Sequence, residues 1–91
     1  MNKKEIEYEK LRWACRRGML ELDLFLVPFF EACFNNLTSK EQLAMKSLLS
    51  ATDPELLGWL MAHQAHEDKE VAAIVDKIRQ YRLQQRPGSI L

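Results

Sequence analysis

Apolar residues recur along this chain at helical spacing, and nowhere do they alternate in the two-residue rhythm of a half-buried strand. Start and stop signals divide the pattern into five predicted helices. The first runs from about Lys3 to Arg16, opened by Asn2 with Glu5 three residues later, an N-cap box. At about 100° per residue, Tyr8, Leu11 and Cys15 share one face of it, with Ala14 at the edge, while Ile6 and Trp13 fall on the opposite face. Two apolar faces mean a helix sandwiched in the core or one that shows a face to a partner; Trp13 is expected in the core. The second helix, about Met19 to Phe34, is apolar at 12 of 16 positions, which cover nearly its whole circumference and place it at the centre of a bundle. Pro28 lies inside it and cannot donate to the Leu24 carbonyl, so a kink or break is expected near Leu26–Pro28. Phe25, Phe29, Phe30 and Phe34 are core candidates.

Asn35-Asn36-Leu37 reads as a turn. Thr38 with Glu41, or Ser39 with Gln42, caps a third helix from about Lys40 to Leu49, whose apolar side is Leu43, Leu48 and Leu49 with Ala44 and Met45 alongside. Asp53-Pro54 starts a fourth, running to about His63, with Leu56, Leu57, Leu60 and Met61 toward the core. A fifth begins near Glu67 and ends near Leu83, with Val71, Ile74, Val75, Ile78 and Tyr81 as its stripe. The architecture implied is an all-α, compact five-helix bundle forming a single domain over residues 1–91, ordered from about 3 to 83, with residues 84–91 as a mobile tail.

Composition narrows the function. Thirteen basic and thirteen acidic residues cancel, which argues against a dedicated nucleic-acid binder. The cancellation is not local: residues 1–17 carry six basic and three acidic groups, residues 18–75 three and nine, and residues 76–91 four and one. Basic ends thus flank an acidic middle, an arrangement of solvated helix faces that can also orient a partner. The longest apolar run, Leu24 to Phe30, is seven residues and contains Pro28, far short of the ~20 needed to span a bilayer. No secretory or transit-like leader is visible, so a cytoplasmic protein without membrane insertion is expected. Cys15 and Cys33 lack Cys-x-x-Cys spacing and sit in apolar helical patterns, where buried reduced thiols are expected.

No catalytic constellation emerges. The three glycines, at 18, 58 and 88, are isolated and build no phosphate-cradling loop. His63 and His66 lie beside Glu67 and Asp68 but straddle a helix junction without a further spaced ligand, so no metal site is expected. A Cys15–His63 nucleophile–base pair is equally weak. As a DNA reader the third helix is too poor in cations, with Lys40 and Lys46 against Glu41; the basic end of the fifth carries Lys77, Arg79 and Arg82.

What remains is the octapeptide Arg16-Arg17-Gly18-Met19-Leu20-Glu21-Leu22-Asp23, which sets two cations, a glycine and two carboxylates against the most apolar helix. Junction physics accounts for the signs. Arg16 and Arg17 complement the negative end of the first helix, Gly18 supplies a positive φ, and Glu21 and Asp23 suit the start of the second, at about 0.3–1 kcal/mol for each charge. It does not explain arginine at both basic positions, whose planar fork suits carboxylates and phosphates. A protein-recognition site is the functional alternative.

The run Trp13-Ala14-Cys15-Arg16-Arg17-Gly18-Met19-Leu20-Glu21-Leu22-Asp23 closely resembles the succinate dehydrogenase flavinylation factors of the SdhE (YgfY) type, whose Arg-Gly-x-x-Glu signature is met by Arg17, Gly18 and Glu21. Pro28-Phe29-Phe30-Glu31, Asp53-Pro54-Glu55-Leu56 and Trp59-Leu60-Met61 also look like the family, so the resemblance covers roughly residues 9–82. The resemblance implies a chaperone-like, non-enzymatic assembly factor. Such factors bind the flavoprotein subunit of succinate dehydrogenase, and in some members that of fumarate reductase. They promote covalent attachment of FAD by steadying a conformation in which a histidine of the subunit faces the flavin 8α-methyl. Carried over by position, Arg17, Gly18 and Glu21 form the partner-binding signature, with Arg16 and Asp23 in support. FAD belongs to the partner, no tightly bound cofactor is expected on this chain, and a monomer is expected. The alternative is a generic helical interaction module with a different partner.

Overall fold

Four of the five helices begin where a side chain accepts the first free backbone N–H groups; the second, which follows Met19, has no such cap. In the computed structural model, which describes residues 2–85, α1 (Lys3–Ala14) opens on Asn2, whose Oδ1 accepts from the Glu5 N–H at 2.8 Å. α2 (Leu20–Cys33) follows, then a 3-10 turn at Phe34–Asn36. α3 (Ser39–Leu49) starts with the Thr38–Glu41 capping box. α4 (Asp53–Leu60) starts one residue earlier than Asp53-Pro54 suggests. Thr52 is its cap, paired reciprocally with Glu55, so Asp53 is left free to bond elsewhere. α5 (Lys69–Gln85) opens on Asp68, whose Oδ1 accepts from the N–H groups of Glu70 and Val71 at 2.8 and 3.1 Å. No strand occurs among the described residues.

Three ends differ from expectation. α1 stops at Ala14 rather than Arg16. α4 stops at Leu60 rather than His63, because His63 turns into the left-handed region (φ 59°) and Gln64 reaches back to the Gly58 carbonyl at 3.0 Å. No glycine marks this stop. α5 continues through Gln84 and Gln85, two residues assigned above to a mobile tail; residues 86–91 lie outside the described residues. α2 is not broken at Pro28. The carbonyl that loses its bond belongs to Leu24, a residue 37% exposed, where water can serve it.

The core is a continuous apolar cluster in which α5 packs on α2 and α3 while α4 closes against α2 and α5. Phe30 is its aromatic centre, stacked on Phe34 with ring centroids 4.5 Å apart and met by Tyr8 of α1 at 5.1 Å. Phe29, Phe30 and Phe34 are buried as expected, whereas Phe25 is only half-buried. Cys15 is buried; Cys33 is half-buried, and both thiols are free.

Several apolar side chains point outward instead. Trp13, expected in the core, is 68% exposed, because Tyr8 and Leu11 supply the buried side of α1. Leu43 is exposed although it was placed on the apolar side of α3; Ala44, Met45, Leu48 and Leu49 fill that face. Met61 is exposed because α4 has already ended.

Truncating the aromatic centre should be costly in so small a core. Phe30→Ala is expected to lower stability by about 3–5 kcal/mol, a large share of the roughly 5–15 kcal/mol such domains possess. The urea midpoint, followed by circular dichroism, measures it.

Candidate functional site

α1 ends on Ala14, and Cys15 and Arg16 close the last turn by donating their N–H groups to the Leu11, Arg12 and Trp13 carbonyls at 3.0–3.2 Å. The chain must then reverse into α2 within a few residues. Gly18 makes that possible with φ 84°, a conformation that costs an L-residue roughly 1–2 kcal/mol. A Cβ built on Gly18 would meet nothing within 4 Å. The requirement for glycine inside this chain is therefore conformational, and the space above its Cα is open.

Arg17 behaves differently from the surface cation that its sequence position suggests. Its side chain is 17% exposed, and its guanidinium is filled from within the molecule. Nη1 donates to the Ala14 and Leu49 carbonyls at 3.0 and 3.1 Å, Nη2 to the Ala51 carbonyl at 2.7 Å, and Nε to Asp53 Oδ1 at 2.9 Å. One planar fork thus serves the C-terminal ends of α1 and α3 and the first residue of α4. Its charge sits where two helix dipoles are negative, and the geometry uses the arginine fork in a way that a lysine ammonium cannot reproduce. The Arg17 backbone N–H donates to Asp23 Oδ1 at 2.8 Å, which ties the loop to the first turn of α2. Asp23 is half-buried by this role.

Arg16, Gly18 and Glu21 face outward. Among the described residues neither Arg16 nor Glu21 has an ion-pair partner. Trp13 and Leu20, 68% and 71% exposed, lie at the two ends of the same loop. The five residues singled out by sequence therefore divide into an inner pair, Arg17 and Asp23, which holds the loop, and an outer trio that it displays. Asp53, Trp13 and Leu20 belong to the same site. A thirty-six-residue separation hid Asp53, and Trp13, placed by periodicity on the face opposite Tyr8 and Leu11, was expected to pack in the core.

Other chemistry finds no support in the geometry. Burial pushes the Cys15 thiol up to about 12, against a smaller lowering by Arg17, so it is an inert core thiol rather than a nucleophile. His63 and His66 point to different neighbours: the Arg79 guanidinium contacts the His63 ring, while His66 Nδ1 accepts from the Asp68 N–H at 2.9 Å and its ring lies 4.4 Å from Trp59. Among the described residues no three His, Cys, Asp or Glu side chains are grouped to hold a metal, and no helix is long and apolar enough to cross a membrane.

Removing the guanidinium should unseat this junction. Arg17→Ala is expected to cost about 2–4 kcal/mol, since it leaves several part-buried acceptors short of a donor, and Arg17→Lys should recover less than half of that. Gly18→Ala should cost about 1–2 kcal/mol from φ alone. Urea denaturation of the three variants gives the comparison.

Comparison with known proteins identifies the family. A family model described as flavinator of succinate dehydrogenase matches residues 9–82. The chain is 52% identical over 69 residues to a protein of Vibrio cholerae named FAD assembly factor SdhE, covering 76% of this chain and 80% of that one. It is 48% identical over 77 residues to the protein of that name from Aliivibrio fischeri, covering 85% and 90%. The solution structure of a UPF0350 protein, 46% identical, superposes with a TM-score of 0.72 over 93% of this chain and 89% of that one. With the family match spanning most of its helical core, this chain belongs to the flavinator of succinate dehydrogenase family, whose curated relatives are FAD assembly factors.

Proposed function

We propose that this protein binds the flavoprotein subunit of succinate dehydrogenase and promotes covalent attachment of FAD to it by positioning, without supplying a catalytic group. The observation that carries the reading is the displayed loop: Gly18 has a left-handed backbone with no atom within 4 Å of a Cβ built on it, flanked by Arg16 and Glu21, which have no ion-pair partner among the described residues, and held from below by Arg17 and Asp23. A rigid loop binds without first paying to be ordered. Gly18 lets a partner backbone approach closely, Arg16 offers a fork for a carboxylate or carbonyl, Glu21 accepts hydrogen bonds, and Trp13 and Leu20 are the apolar anchors that interfaces favour.

Arg17 and Asp23 act in this reading as positioning residues. The flavin stays with the partner, because this chain offers open surface grooves and no glycine-rich phosphate cradle. Holding two reacting groups in register can supply about 7–11 kcal/mol of a barrier, so a factor that only steadies the flavoprotein needs no acid, base or nucleophile of its own. The factor acts as a cytoplasmic monomer, and the related fumarate reductase flavoprotein is a second partner.

Co-expression with a succinate dehydrogenase flavoprotein subunit tests the reading, with covalent flavin read as fluorescence on a denaturing gel. The protein should raise that signal; a signal independent of it overturns the proposal. Glu21→Ala should weaken flavoprotein binding at least ~10-fold, about 1.4 kcal/mol, while leaving helicity and thermal midpoint unchanged. A collapse of the fold would instead assign Glu21 a structural role. Gly18→Arg should abolish the signal through backbone strain and obstruction of the partner, since a Cβ at this position meets no atom within 4 Å and points the new side chain outward.

A further inference from the structure

Glu21 also lines a groove of about 390 Å³, walled by α2 on one side and by α5 and the α4–α5 turn on the other. Its surface is mainly apolar, formed by Leu24, Phe25, Leu60, Met61 and Leu83. Leu24, Met61 and Leu83 are 37%, 47% and 53% exposed. They are three of the large apolar side chains that the core leaves out, gathered in one place rather than scattered.

The charges around the groove are not mutually satisfied. Arg79 is engaged, in contact with the His63 ring and 3.8 Å from Asp76. Arg82 has no carboxylate within 4.0 Å among the described residues, although Glu21 lines the same groove. Two guanidiniums against the Glu21 carboxylate leave the lining net positive. An unpaired arginine beside apolar surface is a strong receptor for a carboxylate, because its fork binds two oxygens at once and the apolar neighbours exclude water.

We infer that this groove is a second half of the partner interface and takes a short acidic–apolar segment of the flavoprotein, with an apolar side chain against Leu24, Met61 and Leu83 and its neighbouring carboxylate on Arg82. The inference rests on the assembly-factor reading and extends it from the Arg16–Glu21 loop across to α5. Glu21 joins the two halves, facing the loop's partner contacts and the groove at once. Charge complementarity selects the occupant: a basic segment would meet Arg79 and Arg82, and a purely apolar one would leave Arg82 desolvated and unpaired.

Affinity for a purified succinate dehydrogenase flavoprotein subunit, measured by titration calorimetry at two salt concentrations, tests it. Arg82→Glu is expected to weaken binding at least tenfold, Arg82→Gln by a few-fold with a shallower salt dependence, and Met61→Ser by a few-fold. Leu43→Ser, which alters an exposed leucine outside the groove, should bind as the unaltered protein does. All four variants should keep its thermal midpoint. A photoreactive benzoylphenylalanine at Met61 should crosslink to a flavoprotein peptide carrying Asp or Glu within two residues of the crosslinked position. Unchanged affinity of Arg82→Glu and Met61→Ser, in a protein that Glu21→Ala still weakens, would overturn the groove and leave the assembly reading standing. A crosslinked peptide without a carboxylate overturns the acidic specificity. A dimer that Arg82→Glu splits in sedimentation assigns the groove to a second copy and overturns the inference. If the unaltered protein neither binds the subunit nor raises covalent flavin, both readings fall together.

Discussion

The guanidinium of Arg17 is the point on which the junction depends. Helices leave their last carbonyls without donors, and in a bundle of short helices several such ends must meet. Here the ends of α1 and α3 converge at Ala14, Leu49 and Ala51, and one side chain with several N–H donors in a fixed plane serves all three while pairing with Asp53 at the start of α4. No apolar residue could replace it, since the carbonyls would lose their donor, and lysine would bring its charge without the fork. α1 has ended at Ala14 before Arg17 turns inward. Asp23 takes its N–H, and the chain must reverse through a left-handed residue at Gly18. The exposed loop is thus the outer surface of an internal clamp.

That arrangement divides a compact sequence signature into two kinds of residue that alignment alone would treat as one. Substitution at Arg17 acts on stability and loop shape. Substitution at Glu21 or Arg16 alters exposed side chains that no ion pair holds among the described residues. Gly18 belongs to both groups: its φ serves the clamp, and its missing side chain serves whatever approaches. A loss of function at Arg17 accordingly says little about direct contact unless stability is measured beside it.

Local features were legible in the sequence because their causes are local. Asn2 with Glu5 and Thr38 with Glu41 act over three residues, and Gly18 at a charged junction reads directly as positive φ. The start of α4 was displaced by one residue because Thr52-x-x-Glu55 and Asp53-Pro54 are overlapping signals. The reciprocal box wins the cap, and Asp53 is spent on Arg17. The Arg17 acceptors at Leu49, Ala51 and Asp53 lie 32 to 36 residues away, beyond any spacing rule. The end of α4 was hidden because histidine, not glycine, takes the left-handed position. Periodicity failed at Leu43 and Met61 because it marks apolar positions, and these side chains are apolar yet turned to solvent; Trp13 lies on the face that periodicity set opposite Tyr8 and Leu11, and only its expected burial is overturned.

Those outward apolar residues complete the physical argument about recognition. A chain this short gains most of its stability from buried apolar area, so leaving Trp13, Leu20, Leu24, Met61 and Leu83 exposed forgoes stabilisation that other placements would provide. Trp13 and Leu20 bracket the loop, and Leu24, Met61 and Leu83 line the groove that begins at Glu21. The surface is therefore a stiff polar ridge with apolar ground on either side. Stiffness lowers the entropy that docking costs, exposed apolar side chains are the usual source of interface energy, and charges such as Arg16, Glu21 and Arg82, which have no ion-pair partner among the described residues, discriminate between partners in any interface that covers them. A domain can act on another protein through such a surface, provided that it grips one conformation of that protein better than the others.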